Sequence, residues 1–294
     1  MMNSESPQIE QLSFPALLLY GVRQYLSWHI SLIDACYRNT IWRLDGKAFC
    51  TVFNVRAMLR GKSIRFSFNP ISKNYTAQSE GLLREFKSKY AAIGGYSNGL
   101  RARGESIGAA YHLKFINFSE GDLVVDCGAN IGDLKLYFDI HEIAVQYIAF
   151  EPSPTDFNCL KHNVQPSEAR NLGLWNRTEE LIFYVSTHNA DSSIIKPENY
   201  TQTIPIKVSR LDELLDKKIK LLKIEAEGAE PEVLQGCENI LGKIEYISVD
   251  IGFERGVAME STLVPVTNYL LGKGFKLVEV GYPRIVALFK NAID

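Results

Sequence analysis

Cysteine is scarce and unpatterned in this chain of 294 residues. Cys36, Cys50, Cys127, Cys159 and Cys237 are odd in number, and no two stand at C-x-x-C spacing. A disulfide framework and a zinc ribbon are therefore excluded as organising devices, and inert thiols in a reducing cytoplasm are expected. Histidine is as thin: the five residues contain no H-x-x-x-H pair, and no metal site is expected. Long apolar runs are missing too. The most apolar early stretch, Phe14 to Tyr37, carries Arg23, His29 and Asp34, which argues against a membrane span. The opening residues MMNSESPQIEQ are too polar and acidic for a secretory signal. Nor is there excess charge of either sign. Lys+Arg is 32 against 34 for Asp+Glu, a net charge of -2, so nothing pulls the whole chain towards nucleic acid.

What is present reads as a globular chain. Hydrophobic residues at 46% and charged residues at 22% exclude disorder. At about 150 residues per domain the length suits two domains, and the pattern changes near residue 118. Residues 1–118 read as a mainly helical cap or extension, and residues 119–294 as a second, α/β domain. In the first part a helix is expected over Phe14–Tyr37. It packs on the body or lies on a membrane surface with Leu17, Leu18, Tyr25 and Trp28 on one face. Ser63–Phe68 alternates like a strand and stops at Asn69-Pro70. A helical region is expected from Ser79, with Leu82, Leu83, Phe86 and Tyr90 at helical spacing. Another is expected over Ile107–Phe115.

In the second part, apolar strands alternate with helices. Strands are expected at 123–126, 147–150, 219–224, 246–249, 275–280 and 285–289. Helices are expected at 133–143, 154–163, 231–241 and 262–271. That rhythm predicts a parallel sheet covered on both faces. The last two strands are too close for a crossover and must form an antiparallel hairpin. Residues 181–185 and 203–208 read as inserted strands, followed by a short helix capped by Ser209.

Three strand ends carry the chemistry. Val125-Asp126-Cys127-Gly128-Ala129-Asn130-Ile131-Gly132 runs from a strand through a glycine turn into a helix start. Gly128 suits close approach of a ligand to the backbone. Asn130 and Asp133 break the G-x-G-x-x-G pattern, and an acid at the mouth of the turn suits a cationic group better than a pyrophosphate. About twenty residues on, Glu151 closes the next strand, where an acid accepts ribose hydroxyls. Asp126 with Glu151 therefore reads as a site for a nucleoside bearing an amino-acid tail, which fits S-adenosylmethionine better than NAD. The third end, Leu222-Lys223-Ile224-Glu225-Ala226-Glu227-Gly228-Ala229-Glu230, crowds three acids. Lys223 and Glu225 alternate to one side and suit a Lys–Glu pair. Crowding of acids would poise one of them as a base, while Glu230 suits the positive end of the following helix.

These three stretches, with Ala149-Phe150-Glu151-Pro152-Ser153-Pro154 for the second, resemble the FkbM family of S-adenosylmethionine-dependent methyltransferases over roughly residues 119–280. Asp191-Ser192-Ser193-Ile194 and Val208–Leu214 are weaker echoes. The family usually has Asp where Glu225 stands. The resemblance implies a class I methyltransferase fold, a Rossmann-like, mostly parallel seven-stranded sheet with a reversed final hairpin. It also implies O-methylation of a hydroxyl on a sugar, a glycan or a secondary metabolite. Glu225 is then the expected base, with Glu227 second. Asp126 would hold the methionine end of the cofactor, with Gly128, Asn130 and Gly132 shaping the turn. Glu151 would hold the ribose, Ser153 would lie near the adenosine, and Asn176 would touch the adenine. His112 and His188 are further substrate-contact candidates, more simply explained by packing. Phe14, Trp28, Trp42 and Phe49 would anchor the cap or meet a lipid-linked or glycan substrate. Glu225, Glu227 and Asp250 are the acids that would gather round an ion. A nicotinamide-dependent oxidoreductase and a non-catalytic cofactor-binding member are the competing readings.

Overall fold

The computed structural model describes residues 37, 39–186, 192–282 and 284–292. Phe14, Trp28, His188 and Asp191, and the helix expected before Tyr37, lie outside the described residues. The N-terminal part is built on an aromatic core. Helix α1 (Gly46–Leu59) buries Phe49, Cys50, Phe53 and Ala57 on one face. They pack on an antiparallel sheet of β1 (Arg65–Asn69), β2 (Asn74–Ser79) and β3 (Leu82–Phe86). Phe49, Phe53, Phe66, Tyr75, Phe86 and Tyr96 form a chain of ring contacts through this core.

The helix expected from Ser79 is instead strand β3. Glu80 and Gly81 both take positive φ, 51° and 80°, the requirement of a tight two-residue hairpin. That turn folds Leu82–Phe86 back on β2 before a helix can start. Helix α2 (Leu100–Ala110) begins well before the expected Ile107 and ends earlier, because His112 takes φ 60° and breaks it. Gly104 and Gly108 lie one turn apart on α2. A Cβ on Gly108 would stand 2.1 Å from the Tyr137 ring. These glycines let α2 settle directly on α3 (Leu134–Ile140).

The large sheet contains β4 (Leu123–Cys127), β5 (Gln146–Phe150) and β6 (Glu168–Arg170), joined by α3 and α4 (Pro154–Asn163). A smaller sheet follows: β7 (Gly173–Leu174), β8 (Glu179–Val185) and β9 (Gln202–Ser209), in the order β7-β9-β8. Ser209 does not cap the short helix after it. Arg210 takes the cap position, while the Ser209 hydroxyl meets Thr178 at 2.9 Å. The main sheet resumes with β10 (Ile219–Ile224), α5 (Glu230–Gln235) and β11 (Ile244–Asp250). Helix α5 stops six residues before the expected Leu241, and the chain continues as a 3-10 turn over Glu238–Lys243. A short hairpin, β12 (Phe253–Arg255) and β13 (Glu260–Ser261), precedes α6 (Leu263–Gly272). Then come β14 (Phe275–Val280) and β15 (Val286–Asn291).

The seven strands lie in the order β14-β15-β11-β10-β4-β5-β6, with β15 alone reversed. This is the class I methyltransferase arrangement. Strand alternation splits the core in two. Val125, Cys127, Ile148, Phe150, Leu222 and Ile224 face one layer, and Val124, Tyr147, Ala149, Leu221 and Tyr246 the other. By the same alternation Asp126, Lys223, Ser248 and Asp250 fall on the second face, at its carboxyl end. Lys223 stands directly opposite Asp126 on one neighbouring strand and Ser248 on the other. Among the described residues no helix is long and apolar enough to cross a membrane.

Candidate functional site

The carboxyl ends of β4, β5 and β10 open on a cavity of about 480 Å³, within the range of small-ligand sites. Asp126, Gly128, Asn130, Glu151, Ser153, Glu225 and Glu227 all line it. Gly132 and Asn176 do not. Gly128 has φ 67°, and a Cβ there would stand 1.8 Å from the Glu225 carbonyl oxygen. Its missing side chain thus lets two loops meet at the cavity edge. Gly132 has φ 87°, and its Cβ would strike Val164 and Leu160, so this glycine serves the packing of α4. The Asn176 amide donates to Gln235 at 2.9 Å on the α5 side and does not reach the cavity.

Glu151 is buried and held by backbone alone. Its two oxygens accept the N–H groups of Asn130 at 2.7 Å and Ser153 at 2.8 Å. Each oxygen keeps a lone pair for a ligand. Burial pushes its carboxyl up to about 8, with Asp156 adding to the rise, against the opposing pull of those N–H groups. Asn130 reaches this position at φ 50°, its own Oδ1 accepting the N–H of Ile131. Ser153 is the N-cap of α4, its hydroxyl accepting the N–H of Asp156 at 3.3 Å.

Across the cavity the charges are paired with one another. Lys223 is 2% exposed and Asp126 1%. The Lys223 ammonium lies 3.0 Å from Asp126 Oδ1 and 3.3 Å from Glu225 Oε2, and donates to the carbonyls of Gly128 at 2.7 Å and Cys127 at 3.2 Å. Asp126 also accepts the Tyr147 hydroxyl. Its Oδ1 has the Lys223 charge beside it but no aligned hydrogen bond. Asp126 thus lines the cavity while paired with Lys223. Breaking such a pair one-sidedly is costly.

Glu225 is the centre of this cluster. It accepts the Tyr111 hydroxyl and pairs with Arg284. Arg284 Nε also binds Asp250 Oδ2 at 2.7 Å. Burial keeps the Tyr111 phenol well above its ordinary range despite the nearby Arg284 charge, so it serves as a proton donor. The Lys223 ammonium and the Arg284 guanidinium lie 5.2 Å and 5.6 Å from the Tyr111 ring centre.

The crowding expected around Glu225 is thus supplied by cations. Glu230 turns away, its carboxylate accepting the N–H groups of Ala226 at 2.9 Å and Gly228 at 3.1 Å to close the turn. Between Glu225 and Asp250 stands Arg284, so a guanidinium bridges the acids that were candidates for an ion. Among the described residues no group of acids, histidines and cysteines could hold a metal. Glu227 has φ 50°, and its carbonyl accepts the Ser193 hydroxyl at 2.7 Å, which gives the serine echo a positioning task. His112 is buried, its Nε2 2.9 Å from the Val286 carbonyl, and belongs to the packing.

Tyr111 and Arg284 are the residues that sequence reasoning missed. They lie 114 and 59 positions from Glu225, so no local spacing links them to it. Asp133 was seen only as a break in a glycine pattern. It accepts the Tyr96 hydroxyl at 2.6 Å and Arg103 Nε at 2.7 Å. Tyr96, Arg103, Ile107 and Tyr111, all before residue 118, line the cavity.

The model of the Methyltransferase FkbM domain matches residues 126–277, just over half of the chain. A curated relative, Methyltransferase 1 of Beauveria bassiana (strain ARSEF 2860), is 28% identical over 151 residues, covering 42% of this chain and 61% of its own length. The solved structure of Methyltransferase FkbM from Methylobacillus flagellatus KT superposes with a TM-score of 0.45 at 18% identity, over 60% of this chain and 45% of that one. The N-terminal domain of human METTL16, solved in complex with SAH, gives 0.37 at 14% identity over 66% of this chain and 71% of that one. The chain therefore spans about three fifths of the curated relative and under half of the FkbM structure.

Proposed function

The chain belongs to the FkbM methyltransferase family, and from that membership we propose that it transfers a methyl group from S-adenosylmethionine to a hydroxyl oxygen of a sugar or glycan. The observation that carries this reading is one cavity bordered by two carboxylates held in different ways, Glu151 and Glu225. S-adenosylmethionine supplies, when bound, an electrophilic methyl on a sulfonium. Glu151 takes the ribose hydroxyls on its remaining lone pairs, and Asn130 and Ser153 fix its angle. Lys223 and Asp126 hold the β4 turn in shape.

An alkyl hydroxyl is a weak nucleophile. Glu225 takes the proton that the attacking oxygen must lose, a contribution of roughly 10²–10⁴-fold. Lys223 and Arg284 pair with its carboxylate and hold it in place on the cavity wall. Glu227, on the same wall, is the alternative acceptor. Alignment of the two reactants within the cavity supplies much of the remaining acceleration. The described cysteines are free, buried thiols, which supports action in a reducing compartment such as the cytoplasm.

The test is incubation with S-adenosylmethionine carrying a tritiated methyl and a hydroxyl-rich glycan extract. Label in a base-stable ether is expected, together with its loss in Glu225→Gln while S-adenosylhomocysteine binding persists. Label in an ester or an amine would overturn the hydroxyl assignment. Turnover surviving in Glu225→Gln would move the base to another residue. Calorimetric binding of NADH in place of S-adenosylhomocysteine would overturn the cofactor.

A further inference from the structure

Two of the N-terminal aromatic residues singled out in the sequence part company in the structure. Phe49 is sealed in the core. Trp42 is 50% exposed and stacks on Tyr90, itself 48% exposed, with ring centres 5.6 Å apart and planes 29° apart. Large aromatic rings are normally drawn into cores, and an exposed stacked pair beside a cavity is a feature of binding surfaces. Tyr90 lines the cavity that Glu225 also lines, and Trp42 stacks on it.

The pair is mounted rigidly. Lys89 Nζ donates to the Trp42 carbonyl at 3.0 Å and the Leu44 carbonyl at 2.6 Å, which fixes the loop that carries the indole. The Tyr90 N–H is capped by the Ser88 hydroxyl at 3.2 Å. A preformed platform loses little entropy when it is covered.

We propose that Trp42 and Tyr90 form an aromatic platform that receives a neutral pyranose ring of the acceptor, stacked through its C–H face. This deepens the glycan reading above and rests on it. A pyranose offers an apolar face of C–H groups to an aromatic ring and keeps its hydroxyls at the edge, where one can be turned towards Glu225. A nucleobase would also stack, but a nucleic-acid strand brings phosphates that need cations. The chain has no excess of cations, with a net charge of -2, and the lysines flanking Tyr90 are turned to the protein's own oxygens: Lys89 to the carbonyls above, and Lys87 to the Ser72 carbonyl at 2.9 Å and Asn74 Oδ1 at 3.1 Å.

The experiment uses the full chain saturated with S-adenosylhomocysteine, applied to an array bearing neutral oligosaccharides and homopolymeric RNA. Wild type is expected to bind a subset of the neutral glycans. Trp42→Ala should weaken that binding at least tenfold and Tyr90→Ala several-fold. Tyr90→Phe, which keeps the ring, should bind like wild type. S-adenosylhomocysteine affinity, measured in parallel, should stay within twofold in all three variants and so reports an intact fold. Glycan binding unchanged in Trp42→Ala would overturn the platform, as would retention of RNA alone. Wild type that binds S-adenosylhomocysteine but no glycan would overturn the platform while leaving the methyltransferase reading standing. Failure to bind S-adenosylhomocysteine at all would overturn the reading on which the platform rests.

Discussion

Glu151 and Glu225 border the same cavity and are held by opposite means. Glu151 is gripped by two backbone N–H groups, with burial pushing its carboxyl up to about 8. Glu225 is gripped by Lys223, Arg284 and the Tyr111 hydroxyl. Backbone donors fix a carboxylate's position but bring no full charge, so desolvation wins and the proton is retained. Cations bring charge, and they favour an ionised group even under a covered wall. One side of the cavity is therefore a carboxyl that ionises when a ligand gives it reason to. The other is a carboxylate paired with two cations and a phenol.

The most damaging way to break this contrast is at Lys223, which faces both Asp126 and Glu225. Lys223→Met keeps the stem and deletes the charge, leaving a buried carboxylate uncompensated. It should lower unfolding free energy by about 3–5 kcal/mol, read from urea denaturation. Adding Asp126→Asn should restore much of the loss, because the stranded charge is then gone. A double variant no more stable than the single would show that the pair is not coupled.

Glu151 is the next largest effect, and its sign is different. Glu151→Ala removes charge-assisted acceptors for the ribose, and should weaken S-adenosylhomocysteine binding by about 30–150-fold, equivalent to about 2–3 kcal/mol. The variant strands the two N–H groups that Glu151 accepts, but since the carboxyl is costly to ionise in the empty site, its stability loss should shrink as pH rises towards 8. Calorimetry and a parallel melt separate the two claims. A stability loss as large as that of Lys223→Met would erase the contrast between the two carboxylates.

The pH dependence follows from the same carboxyl. Between its ordinary value of 4.5 and about 8, the folded protein keeps the proton that the unfolded chain has released. The unfolded state then binds fewer protons, so Glu151 makes stability fall as pH rises through that window. Ribose binding runs the other way, because the ionised form is the better acceptor of two hydroxyls. S-adenosylhomocysteine affinity should rise by about tenfold from pH 7 to pH 9, and the rise should vanish in Glu151→Gln. A wild-type profile flat over that range would mean that the carboxyl is already ionised in the empty site.

The sheet was legible because its evidence is local. Apolar runs over residues 123–126 and 219–224, the first ending in Asp126 and the second followed by Glu225, mark strands whose carboxyl ends must carry the site. The close final pair could only be a hairpin. Glu151 and Glu225 were legible for the same reason, since each ends or closely follows a strand. Strand β3 was not, because Leu82, Leu83 and Phe86 fit a helix as well as a strand over so short a span, and the Glu80-Gly81 turn decided between them. Tyr111 and Arg284 were hidden by distance along the chain: one follows α2, the other sits in the final hairpin, and only packing unites them at Glu225. Gly128 and Gly132 were legible as turn glycines, and both take positive φ, but the loop and helix that their missing side chains make room for were not, since those contacts come from distant parts of the chain.

Asn176 offers the smallest effect and the sharpest limit on the cofactor side. Expected from the sequence to meet the adenine, it instead donates to Gln235 at 2.9 Å, while its own carbonyl accepts Arg210 Nη1 at 3.0 Å. Asn176→Ala leaves that carbonyl in place and removes one exposed side-chain bond, a change normally within about 0.5 kcal/mol. S-adenosylhomocysteine affinity should therefore stay within about twofold of wild type. A tenfold loss would mean that the β7 end swings into the cavity when a nucleoside arrives, and that the side held by Glu151 is assembled by its ligand. An unchanged value leaves Glu151, with Asn130 and Ser153 behind it, as a site whose geometry is complete before anything binds.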